Sequence, residues 1–212
     1  MLASTIISAV RFTLQDEGFA TWSDAVLLAD LNSAERRICL LTPDNFSIRA
    51  AIQMQQGTRQ SVPVGGVAIL DLYDNAIGGL RVTLVDRSLL DAATRFWPVA
   101  TQETAVQHWI QDERNPAKFE VFPPNDGFGS VWGLYAGVPT PMATVGDAIN
   151  VPDIYEDVLK SYVLAEAYAH NSAKQDLAKS AGYRDSGDKA LGIGAQSSVA
   201  VAPKVGKPAG ST

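Results

Sequence analysis

Three side chains are candidates for nucleophilic or metal chemistry in this chain: Cys39, His108 and His170, its one cysteine and two histidines. A Cys–His hydrolase would need a histidine beside the thiol and a thiol held as thiolate in an exposed, electropositive turn. Cys39 sits instead between Ile38 and Leu40, late in a run with helical spacing, where a cysteine packs as a small hydrophobe. A metal-assisted hydrolase would need ligands at a readable spacing, and neither histidine lies in an HExxH or HxE context. The acids Asp112, Glu113, Asp153, Glu156 and Asp157 fall in a turn and a helix first turn, where solvated carboxylates are expected anyway. GGV at 65–67 and GIG at 192–194 lack the spacing that cradles phosphates, and DNAIGG reads as a loop tip. The expectation is no catalytic residue, no metal and no cofactor.

The elements that carry these residues can be read from periodicity. Residues 4–15 repeat Ile6 or Ile7, Val10 and Leu14 at helical spacing, and Gly18 ends the segment. The next helix, 23–41, starts near Thr21 or Ser23, either of which can cap it, with Asp24 three residues after Thr21. Leu27, Leu31, Ala34, Ile38 and Leu41 form one face, and Pro43 stops the helix. Trp22, just ahead of the start, has the position of a hydrophobic staple.

Residues 46–137 are rich in strand patterns. FSIRAAIQM alternates, and a turn and return strand run on to Pro63. Residues 67–76 fit a strand or a short helix, 80–86 a strand, and Asp86 or Ser88 can cap a helix running through Arg95. VQHWIQD, KFEVFPP and SVWGLYAG, separated by the turn signals ERNPA and PNDGFG, read as a β-meander over 106–137. Alternation makes His108 a surface or cross-strand residue.

The second helical region, 152–184, opens at Pro152 with acids in its first turn. Ile154, Val158, Tyr162, Ala165 and Ala169 share a face, and Asn171 or Ser172 can break and recap the helix. His170 lies at the polar helix end. From 186 the composition shifts to small residues, and 192–212 holds two lysines but no acid and no aromatic, too little apolar surface to fold alone.

The reading is an α+β fold: a helical bundle core from the N- and C-terminal helices, a β-rich middle insertion and an extended C-terminal tail. Residues 1–185 form the domain and 186–212 the tail. The net charge of −6 gives no reason to expect a grip on nucleic acid phosphates. With one cysteine there is no intrachain disulfide. No run approaches the ~20 apolar residues of a membrane span, and MLASTIISAVRF lacks the basic start of a secretory signal. Assembly in a cytoplasm is expected.

Three blocks in order resemble the head-to-tail adaptor (connector) family of short-tailed bacteriophages. They are WSDAVLLADLNSAERRI (22–38), VDRSLLDAATRFWP followed by VQHWIQDERNPAKFEVFPPND (85–98 and 106–126), and the 151–183 helix pair with Tyr155, Leu159, Tyr162, Val163, Leu164, Ala167 and Tyr168. The resemblance implies a virion structural protein of the neck, forming a ring, typically dodecameric, between the portal protein and the tail nozzle or next tail component. Double-stranded DNA would pass through its lumen without being read, past a mildly acidic wall, and the ring would help retain the genome. It implies that the C-terminal tail reaches along the portal, which singles out Val199, Val201, Pro203, Lys204, Val205 and Lys207 as the portal interface. Another neck, head-completion or tail-tube role is the nearest alternative.

Overall fold

The structure, a computed structural model, describes residues 1–16, 18 and 20–192. It is an α+β arrangement of five helices and two sheets among the described residues. The chain divides into two compact units: a helical one from Met1–Phe46 and residues 139–192, and a β-rich one from Ser47–Val138. The expected tail residues 193–212 lie outside the described residues.

In the helical unit, α1 (Ala3–Leu14), α2 (Asp24–Leu41), α4 (Glu156–Ala169) and α5 (Leu177–Ala190) form the bundle. Helix α4 is central and packs against α1, α2 and α5. The stripe on α2 is buried at Leu27, Leu31, Ala34 and Ile38, whereas Leu41, at the last turn, stays exposed. Each fully buried leucine or isoleucine here contributes ~1.5–3 kcal/mol, an upper estimate. Ser23, not Thr21, is the cap: its side chain accepts from the Val26 N–H. Asp24 instead takes the Arg11 guanidinium at 2.8 Å. The expected helical stretch 152–184 is broken in two. It starts with a 3-10 turn, Asp153–Tyr155, and Asp176, rather than Asn171 or Ser172, caps α5 by accepting from Lys179 N–H. Helix α5 runs on to Ala190, so residues 186–190, assigned to the tail by their small side chains, are helical. Gly187 explains the misreading, because its missing side chain is what admits the Tyr162 ring: a Cβ there would lie 2.7 Å from Tyr162 Cε1.

An irregular segment, 139–151, belongs to the same unit and is held by polar groups of α2. Asn32 grips Met142 by donating to its carbonyl (3.0 Å) and accepting its N–H (2.8 Å). The Glu35 carboxylate accepts from Asn150 N–H at 2.6 Å and Nδ2 at 2.8 Å. The segment's other side pairs with the start of the chain through an antiparallel bridge between Leu2 and Ala148.

In the β unit, one sheet has the order β1 (Ser47–Gln53), β7 (Ser130–Gly137), β3 (Gly66–Asn75). The other has β2 (Gly57–Ser61), β6 (Lys118–Asn125), β5 (His108–Gln111), β4 (Thr83–Leu84). Ile52, Ile69, Leu72 and Val131 from the first sheet and Trp109, Phe119 and Val121 from the second share one core. Asp86 caps the short helix α3 (Arg87–Ala93). Below α3, Leu90, Trp97 and Ile110 make a satellite cluster.

Two sequence expectations fail here. The stretch 106–137 is not a meander: β5 and β6 pair antiparallel, but β7 leaves them and inserts between β1 and β3. Nor do β1 and β2 pair, since they edge different sheets. The loop after β6 makes the switch. Buried Asn125 accepts from Gly127 and Gly129 N–H (2.8 and 3.2 Å) and donates to the Thr104 carbonyl (2.9 Å), turning the chain out of the first ladder. The expected strand 80–86 shortens to Thr83–Leu84. Ahead of it, Leu80 and Val82 bond back to β3.

Candidate functional site

The groups that looked able to do chemistry are placed as structural parts. Cys39 is 2% exposed on α2, and burial pushes its thiol up, away from the thiolate a nucleophile needs. His108 is in the β unit, where it meets the Thr83 hydroxyl at 2.6 Å across the β4–β5 pair and stacks on Phe122. That is the cross-strand role its alternation predicted. His170 is in the helical unit at the end of α4, with Nε2 3.0 Å from both oxygens of Asp30 on α2. Asp112 holds its own turn through the N–H groups of Arg114 and Asn115, and Glu156 pairs with Lys160 at i,i+4. Among the described residues no group of three or more His, Cys, Asp or Glu side chains is placed to hold a metal ion.

The polar groups that organise the helical unit are ones the sequence did not advertise. Arg11, buried on α1, donates to the Trp22 carbonyl at 2.8 Å and pairs with Asp24. The Asp16 carboxylate accepts from Thr21 and Trp22 N–H at 3.0 Å each, and the Trp22 bond in particular holds it below the usual carboxylate range. Trp22 is buried as a staple would be, with the Lys174 ammonium 5.3 Å from its ring centroid. A second network joins three helices: Arg37 of α2 forks onto Asp188 of α5 (2.9 and 3.0 Å), and Tyr162 of α4 donates to the same carboxylate at 2.7 Å. Burial, reinforced by that bond to Asp188, pushes the Tyr162 hydroxyl up to about 12. Burial also pushes Asp30 and Glu35 up, against their bonds to His170 and Asn150. Both flank the apolar face of α2 by a residue or two, and that flanking position is the signal that marks them.

With the interior so committed, what the molecule offers outward is surface for contact. In the β unit Ile77, Leu80 and Phe128 project from glycine-containing loops, and Phe128 is 79% exposed. Residues Asn75, Ile77, Thr104, Ala105, Gly129 and Ser130 line a small hollow between the loops that follow β3 and β6. A second group, Leu89, Phe96 and Val99, lies on the outside of the α3 segment. Scattered exposed apolar side chains are ordinary, but groups of them on neighbouring loops suit a protein that docks. The sequence-assigned portal residues Val199, Val201, Pro203, Lys204, Val205 and Lys207 lie outside the described residues. No described helix is long and apolar enough to cross a membrane.

Comparison with known proteins gives one family. The family model described as SU10 adaptor protein matches residues 1–205. Among curated proteins none gives a significant match.

Proposed function

The chain belongs to the SU10 adaptor protein family, phage structural proteins, and from that premise we propose that it is a head-to-tail adaptor of the virion neck. Copies of it form a closed ring, dodecameric, between the portal protein and the tail nozzle or next tail component. The genome passes through the lumen as double-stranded DNA, and the ring helps retain it. The family match over nearly the whole chain carries this reading. Three further observations support it. All 23 acidic residues but only 15 of the 17 Lys and Arg lie before residue 193, so the body of the protein is net acidic, which disfavours a grip on passing phosphates. The thiol is buried and raised rather than poised for attack. The exposed apolar groups sit on short loops and an outer helix of the β unit, where contacts between identical subunits can be made.

The C-terminal segment, with Val199, Val201, Pro203, Lys204, Val205 and Lys207, reaches the portal. A segment that orders on its partner can cover a large surface from a small domain. Electron microscopy of the chain mixed with the portal of the same phage tests the reading. A second ring stacked on one end of the portal, coaxial with its channel, is expected. Density at the capsid-facing rim or inside a tail tube would place the protein in another neck, head-completion or tail role.

A further inference from the structure

The first sheet has one closed edge and one open edge. Beyond β3 the edge is covered: Val82 N–H bonds to Tyr73 O, Asn75 N–H to Leu80 O and Ile69 N–H to Pro116 O, each at 2.8 Å. Beyond β1 no described residue pairs. The β1–β7 register is unbroken from Ser47↔Ala136 to Gln53↔Ser130. It continues to Met54, whose N–H bonds to Gly129 O at 2.9 Å. That bond fixes the phase of the ladder. Residues 48, 50 and 52 turn their backbone groups toward β7, so Ser47, Arg49, Ala51 and Gln53 turn theirs outward.

An open edge of seven residues is a template for another strand, and proteins ordinarily guard such edges with proline, lysine or a bulge. β1 has none of these; Arg49 is its single charge, and the guanidinium lies 5.2 Å over the Tyr73 ring on the sheet face. Ile48, on the core-side face, is left 45% exposed at the sheet margin. The edge therefore fits an extended segment with apolar side chains at every second position on one face and small side chains on the other.

The chain itself holds such a segment in Ser197-Ser198-Val199-Ala200-Val201-Ala202. Its period is two, its larger apolar members Val199 and Val201 are β-branched, it has no acid, and Pro203, which lacks an N–H, ends it. We propose that residues 197–202 add as a strand to the β1 edge of a neighbouring copy. Val199 and Val201 then extend the Ile48–Ile52 face, and Ser198, Ala200 and Ala202 lie beside Arg49 and Ala51 without displacing Arg49 from Tyr73. A strand handed in one direction from each copy to the next is a heterologous contact, and it leaves no free end when the ring closes. The inference rests on the ring reading above. It transfers Val199 and Val201 from the portal to the neighbouring adaptor and leaves the residues beyond Pro203 for the portal.

Amide hydrogen exchange on the full chain, free and bound to the portal of the same phage, tests it. In the complex the amides of Arg49 and Ala51 should exchange about 100-fold more slowly than in the free chain. Oxidation of the complex carrying Ala51→Cys with Ser198→Cys, Ala200→Cys or Ala202→Cys in turn should give covalent multimers for at least one pair. An intact complex in which Arg49 and Ala51 exchange as in the free chain overturns the inference and leaves the adaptor reading standing. Cross-links confined to single chains, or none from any pair, overturn it too. If no complex forms, the adaptor reading falls and the inference falls with it.

Discussion

Replacing Tyr162 with phenylalanine isolates one group in the network that ties α2, α4 and α5. The ring stays, and only the hydroxyl that donates to Asp188 at 2.7 Å is lost. A hydrogen bond to a charged acceptor contributes about 1.5–3 kcal/mol, and Tyr162 is 2% exposed, so solvent does not screen it away. The pH dependence is the sharper readout. Tyr162 ionises near 12 when folded, whereas an unfolded tyrosine ionises near ~10. A raised folded value means stability that is complete below the unfolded value and is lost as pH climbs through the folded one. At ~1.4 kcal/mol per pH unit, the wild type should lose ~2–3 kcal/mol through this group between pH ~10 and ~12. Tyr162→Phe lacks that loss. Urea melts at intervals from pH 8 to the alkaline limit should therefore show the variant less stable at pH 8 by about 1.5–3 kcal/mol, with the gap narrowing steadily above pH ~10. A gap that stays constant with pH would refute the assignment of a buried, carboxylate-bound hydroxyl.

Two glycines of α5 should respond oppositely to alanine. At Gly187 the new methyl meets Tyr162 Cε1 at 2.7 Å, and the ring is held by Asp188; overpacking of ~1–3 kcal/mol outweighs a helix gain of about 1 kcal/mol, for a net loss near 1 kcal/mol. At Gly182 nothing lies within 4 Å of the methyl, so Gly182→Ala should raise stability by ~0.5–1 kcal/mol, both variants being read by urea melts at pH 8. Asn125→Ala removes three bonds that turn the chain between sheets and should cost about 2–4 kcal/mol by urea denaturation. Iodoacetamide should label Cys39 at least ~100-fold more slowly in the native protein than in urea, because the thiol is buried and raised; fast native labelling would reopen the hydrolase reading.

What local pattern carries was legible, and what distant partners decide was not. The α2 face at Leu27, Leu31, Ala34 and Ile38 is a matter of spacing, and it is buried as spacing demands. The three strands within 106–137 form where β-branched and aromatic residues run between turn residues. Their pairing escaped the reading, because PNDGFG marks a reversal without saying which sheet receives the next strand; the deciding group is the Asn125 side chain reaching back to Thr104. GVPTPM, 137–142, has the prolines of a stiff irregular connection, and the irregular stretch runs on to 151. Its conformation is set by Asn32 and Glu35, more than a hundred residues earlier, and no window of sequence contains both ends of those bonds. The helix limit at Ala190 was missed for a related reason. Small residues such as Ser186 and Gly187 signal a tail by composition, but here they continue the helix, and Gly187 admits the Tyr162 ring of the preceding helix. The family itself was legible because its blocks are read in order along the chain and need no knowledge of which strand pairs with which.

The most direct test of the adaptor role is the native mass of the full chain mixed with the portal ring of the same phage, measured beside a chain ending at residue 192. A discrete complex with whole-ring stoichiometry, weakened or lost on truncation, is the predicted result. Two separate species at every concentration and salt would contradict the account.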